Sequence, residues 1–199
     1  MKMLISPTSP YARKARILVA EKKLHCEMQA VNPYQEDADY VTAANPLCKI
    51  PVLLTDEGAF FDSRVICEYL DAQGDKPKFL PDDFSARMAV KVREAAADGV
   101  LDAGVAIVMA GRVAPDMQND AWKGWLMDKV KASLASFEKK TSPSAGDDWD
   151  MGDVALACAL DFLSFRMPDL DWPSAHPFLS AWFNRVAMCD SFIHTDPRG

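Results

Sequence analysis

The stretch Lys49-Ile50-Pro51-Val52-Leu53, with Asp62-Ser63 eleven residues beyond the proline, decides how the chain is read. A proline between two apolar segments accommodates a cis peptide, which exposes the preceding residue's N–H and C=O instead of pairing them in a sheet. A peptide-like ligand would pair with those groups. Asp62-Ser63 opens the apolar run Val65, Ile66, Tyr69, Leu70, whose spacing predicts a helix with its positive N-terminal end free to hold a carboxylate. Together the two features suit a ligand with a peptide middle and an acidic end.

Upstream, the apolar segment Met1 to Ser6 runs into Pro7-Thr8-Ser9-Pro10-Tyr11, followed by Arg13, Lys14 and Arg16. This order predicts strand, turn and helix, with Ser9 as N-cap and Pro10 as first helical residue. His25 to Val31 is strand-like and ends at Asn32-Pro33; a short helix around Ala38 to Ala44 closes at Asn45-Pro46. Val52 to Thr55, the turn Asp56-Glu57-Gly58 and Ala59 to Phe61 predict a hairpin, and the helix after it ends near Gly74.

The period then becomes helical throughout. Residues 76–84, broken by prolines and polar, suggest a linker that Phe79-Leu80 tacks down. Ser85 is expected to cap a long helix reaching about Arg112, before Pro115. Trp122, Leu126, Val130, Leu134 and Phe137 mark one face of the next helix. Ser142 to Gly146 is a predicted loop. Asp150 suits an N-cap and, with Asp153, would place two carboxylates by the positive end of an apolar helix that stops ahead of Pro168, and His176-Pro177 starts a last amphipathic helix. The expected division is 1–75, a linker at 76–84, and an all-helical domain over 85–199.

Composition narrows the function. At 199 residues the chain buries a substantial core, and a net charge of -7 argues against nucleic-acid or anionic-membrane surfaces. No apolar run reaches a membrane span and no signal-peptide pattern is present, so cytoplasmic residence is the default expectation. Five scattered cysteines without a Cys-x-x-Cys pair, and three histidines, argue against disulfide frameworks and structural metal.

Taken in order, the first strand, Ser9-Pro10-Tyr11 with Arg13, Lys49 to Leu53, Asp62-Ser63, and Ala95 to Ala103 resemble a cytosolic-type glutathione S-transferase of a bacterial branch. The resemblance implies an α/β thioredoxin-like N-terminal domain that binds glutathione and an all-α C-terminal domain. It implies a homodimer, glutathione as co-substrate with no other cofactor, and a small hydrophobic electrophile as second substrate, in a detoxifying transfer. Ile50, beside Pro51, would pair with the cysteinyl unit and Ser63 with the γ-glutamyl carboxylate. Asp62 would set the turn or meet the ligand's amino group.

Three readings stay open on the residues themselves. Ser9 is either a plain N-cap or also the donor to the glutathione sulfur, with Ser6, Thr8 and Tyr11 as rivals. Lys49 either reaches the glycyl carboxylate or is a solvated loop lysine. Tyr11, Met109 and Arg112 either face the electrophile pocket, which in this family lies between the domains, or serve packing and solvation. A non-enzymatic binding or regulatory protein and a glutathione-dependent peroxidase are the alternative functions. Pro7-Thr8-Ser9-Pro10 lacks the Ser-Ser-Cys-like segment of the isomerising relatives, which counts against an isomerase.

Overall fold

In the computed structural model, residues 1–74, 77–113, 119–140 and 149–199 are described. The expected Pro115 boundary and the Ser142 to Gly146 loop lie outside them, as does the start of the expected linker. The chain forms two compact units: Met1–Pro81 with Cys189–Gly199, and Asp82–Met188.

The first unit is built on a four-stranded sheet in the order β2-β1-β3-β4. Strand β1 (Lys2–Ile5) buries Met3, Leu4 and Ile5, and pairs in parallel with β2 (Glu27–Ala30) across the helix α1 (Pro10–Glu21). Strand β2 starts two residues later than the sequence suggests. Lys22 N–H still bonds Leu18, Lys23 takes a left-handed φ of 51°, and Leu24 N–H returns to Val19, so the chain is finishing a helix end there. Helix α2 (Ala38–Ala44) and the antiparallel strands β3 (Val52–Thr55) and β4 (Gly58–Phe60) follow, then α3 (Ser63–Ala72). Leu4, Val31, Val41 and Val52 form a core cluster, while α1 packs against α3.

Two anchors complete this unit. Asp71 accepts from the backbone N–H of Phe79 (2.8 Å) and Leu80 (3.1 Å), and Lys22 donates to Pro77 O (2.8 Å) beside it, so residues 77–80 are held rather than loose. The last eleven residues, assigned by the sequence to the helical domain, pack instead with α1. Arg13, 3% exposed, donates to Phe192 O (2.8 Å) and Thr195 Oγ1 (3.2 Å), and its guanidinium lies 3.8 Å from the Phe192 ring centre.

The second unit is helical: α4 (Phe84–Val113), α5 (Asp120–Lys140), α6 (Met151–Arg166), a 3-10 turn at Pro168–Leu170, α7 (Trp172–Ala175) and α8 (Pro177–Val186). The short helix α9 (Asp190–His194), belonging to the first unit, follows α8, so α8 is not the last helix. Asp83, not Ser85, caps α4, its carboxylate accepting from Ala86 N–H at 2.9 Å. On α5 the buried face runs from Leu126 through Val130 and Leu134 to Phe137, and Trp122 stays 41% exposed in the first turn. Helix α6 is buried on nearly every side. It meets α4 closely at Gly104, where a Cβ would stand 3.0 Å from Phe162 Cε1.

Asp150 caps α6 as the sequence predicts: its carboxylate accepts from Gly152 and Asp153 N–H, and Asp153 accepts from Asp150 N–H. Arg93 pairs with the same Asp150. Among the described residues no helix is long and apolar enough to cross a membrane.

Candidate glutathione site

Strand register gathers the sequence-predicted residues of the first unit at one end of its sheet. Leu4 pairs with Val52 in antiparallel sense, so the end of β1, leading to Ser9, faces the start of β3, preceded by Lys49-Ile50-Pro51. Leu53 pairs with Phe60, so the end of β4 reaches the same edge and delivers Asp62-Ser63 to the start of α3. Three segments distant in sequence thus meet around the ends of three adjacent strands.

Each segment presents polar groups there. Ser9 Oγ accepts from Ala12 N–H at 3.2 Å, and that bond uses a lone pair, so the hydroxyl proton stays available to donate. Ser6 and Thr8 hydroxyls lie 3.3 Å apart and engage each other. The Ile50–Pro51 peptide is cis. Ile50 lies outside the β3 ladder, and among the described residues its peptide groups make no hydrogen bond. Lys49 is exposed, its carbonyl accepting from Asn45 Nδ2 at 2.8 Å.

At α3, Asp62 is the N-cap and accepts from Arg64 N–H at 3.0 Å. Ser63 is 4% exposed, yet its hydroxyl has no hydrogen-bond partner among the described residues. An unpartnered hydroxyl in the first turn of a helix is a donor suited to an anion. Cys48, one residue before Lys49, is turned inward: its thiol lies 3.3 Å from Pro33 O and packs against the Leu4 cluster. Burial pushes the Cys26 thiol up, away from thiolate chemistry.

The three expected pocket residues divide between units: Tyr11 sits on α1 of the first, Met109 and Arg112 on α4 of the second. Arg112 lines a cleft of about 720 Å³ within the helical unit; Met109 is not among its lining residues. Sequence reasoning missed the other cations of that cleft, Lys123, Lys131 and Arg166, although Lys123-Met127-Lys131 share one helical face by spacing.

Comparisons with known proteins agree with this architecture. The glutathione S-transferase N-terminal domain model matches residues 4–78 and the C-terminal domain model residues 93–185. An uncharacterised GST-like protein of Escherichia coli K12, YibF, is 34% identical over 200 residues, covering 99% of this chain and 98% of its own. A glutathione transferase family member from Pseudomonas fluorescens Pf-5, solved with bound glutathione, superposes with a TM-score of 0.91 at 35% identity, covering 98% of each chain. A glutathione S-transferase from Methylobacillus flagellatus KT, also solved with glutathione, gives a TM-score of 0.91 at 38% identity, again over 98% of each chain.

The thioredoxin-like sheet and the helical unit are therefore those of a glutathione transferase fold. The chain belongs to the glutathione S-transferase superfamily.

Proposed function

We propose that the protein binds glutathione at the end of the sheet formed by Ser9, Ile50-Pro51 and Asp62-Ser63 and, once the thiol has lost its proton, joins the glutathionyl sulfur to an electrophile. The observation that carries this reading is the convergence of those three segments through the Leu4–Val52 and Leu53–Phe60 pairings. Likeness over almost the whole chain to relatives solved with glutathione supports it. Ile50 offers its N–H and C=O to the cysteinyl unit, Ser63 its hydroxyl to the γ-glutamyl carboxylate, and Asp62 its carboxylate to the ligand's amino group. Lys49, exposed beside them, answers the glycyl carboxylate.

Chemistry follows from the thiol. A free thiol of pKa about 8.5 is mostly protonated near pH 7, and lowering that value by about two units raises the thiolate share from about 3% to about 75%, roughly twenty-five-fold. Ser9 keeps its proton and donates a hydrogen bond through it to the sulfur anion while its oxygen accepts from Ala12 N–H, and the α1 dipole favours the anion. The thiolate attacks, the new C–S bond forms, and the leaving group departs with its electron pair. Further acceleration comes from holding the electrophile in line.

A second copy of the chain belongs to the same reading. Phe84, Met88 and Val92, four apart on α4 and 72%, 39% and 69% exposed, form an apolar stripe suited to a two-fold partner.

The test is kinetic and calorimetric. Ser9→Ala should lower kcat/KM at least tenfold, about 1.4 kcal/mol, with glutathione affinity little changed. Ser63→Ala should weaken glutathione binding by about tenfold or more, the worth of a hydrogen bond to a charged group. No glutathione binding by the wild type would overturn the reading and favour a non-enzymatic binding role.

A further inference from the structure

The cleft in the helical unit has a charge pattern at odds with the rest of the molecule. The protein carries a net charge of -7, yet Arg112, Lys123, Lys131 and Arg166 all line this one cleft, against a single carboxylate, Asp169. Among the described residues none of the four cations is ion-paired. Burial first, and then the charge of Arg112, push Arg166 below its usual value, so the two guanidiniums repel one another. Like charges left facing each other are unfavourable unless an anion joins them.

Local sequence explains the arrangement. Lys123, Met127 and Lys131 recur every four residues, so α5 presents cation, thioether and cation along one face. Helix α4 adds Arg112 to the lining, and α6 ends in Phe165-Arg166, with the guanidinium 4.0 Å over the neighbouring ring. That stacking leaves the N–H edge of Arg166 free to form a planar pair with a carboxylate, while the apolar side chains offer a body-sized contact.

We propose that this cleft binds a small organic carboxylate with an apolar body, Arg112 and Arg166 holding the carboxylate and Met127 and Phe165 covering the apolar part. The resemblance offers Arg112 as one candidate for the electrophile pocket, and on that reading this anion is the second substrate; that part alone rests on the glutathione-transfer reading.

The binding is tested on the full chain without glutathione, by fluorescence titration with 2-naphthoate and with its methyl ester. Naphthoate should bind at least tenfold more tightly than the ester and weaken as salt is raised. Arg112→Gln and Arg166→Gln should each weaken naphthoate at least fivefold and leave the ester unchanged, whereas Lys129→Gln, outside the cleft, should change neither. Should an arginine variant fail to fold, the exposed Lys131→Gln is read in the same way. Equal affinity for acid and ester, no binding of either, or an acid preference intact in the folded cleft variants overturns the proposal.

Turnover then tests the substrate assignment. Glutathione thiolate displaces chloride from 4-(chloromethyl)benzoate, the C–S bond forming as the C–Cl bond breaks and chloride leaves with the electron pair. The free acid should show at least tenfold higher kcat/KM than its methyl ester after correction for the uncatalysed rates. Naphthoate binding with no turnover of either compound refutes the transfer reading and leaves the cleft assignment standing. Naphthoate binding with an equally good or better ester refutes the carboxylate as second substrate.

Discussion

Replacing Arg13 with Met should free the C-terminal segment from α1 while keeping an apolar stem of similar length. The guanidinium donates to Phe192 O and Thr195 Oγ1 and lies over the Phe192 ring. Each hydrogen bond to a charged group contributes about 1.5–3 kcal/mol, and a desolvated cation over a ring up to about 2 kcal/mol. Two effects reduce the sum. Removing a buried charge removes its desolvation cost. Thr195 Oγ1 also keeps its bonds to Ser191 O (2.8 Å) and Phe192 O (3.2 Å), so neither acceptor is stranded. The net loss should be about 3 kcal/mol, a large share of a typical folding free energy of about 5–15 kcal/mol. Arg16, bonded to Thr195 O, and Glu21, bonded to the Ser191 hydroxyl, still hold the segment, so the loss should show first as local opening. Hydrogen exchange at the Phe192 and Ile193 amides, both bonded to Cys189 O, should accelerate about a hundredfold. A Phe192→Leu double-mutant cycle isolates the ring contribution. Acceleration below about fivefold, roughly 1 kcal/mol, would refute the clamp.

Three further outcomes follow from the helical unit. Gly152→Ala would place a Cβ 2.9 Å from Arg93 Cβ, displacing the side chain that pairs with Asp150; urea unfolding should show a loss of about 1–3 kcal/mol. The Asp153 carboxyl is pushed up to about 6, first by burial and then by the Asp150 charge. The native state thus holds a proton that the unfolded chain releases near 3.8, and this group's contribution to stability falls by up to about 3 kcal/mol as pH rises from about 4 to 6. Asp153→Asn should therefore gain on the wild type across that window in urea midpoints, and a pH-independent difference would sink the assignment. Val92→Glu on the exposed α4 stripe should convert a dimer to monomer by light scattering, and an unchanged mass would remove α4 from the interface.

Local chemistry made much of the fold legible. Ser9-Pro10 at the start of α1, Asp62-Ser63 at the start of α3 and the Asp150-Asp153 box all announce helix ends within four residues, and all three stand where the sequence places them. Ile50–Pro51 is cis, as the surrounding apolar pattern suggested. Ambiguity arose where two neighbours have similar capping chemistry: Asp83 and Ser85 both suit an N-cap, and only the backbone decides for Asp83. The return of residues 189–199 to α1 was hidden because Arg13 and Thr195 stand 182 residues apart, and no periodicity links them. The cationic cleft was hidden for a related reason. Its cations come from three helices, each of which alone looks like an ordinary solvated face.

That long return has a consequence for biogenesis. During translation the sheet and its flanking helices emerge first, but the α9 segment that grips α1 leaves the ribosome only after the entire helical unit. Topologically the helical unit is an insertion within the first one, so the first must wait, incompletely covered along α1, while its neighbour is being made. A nascent chain arrested before Cys189 should consequently be open to proteases along α1, where the released protein resists them.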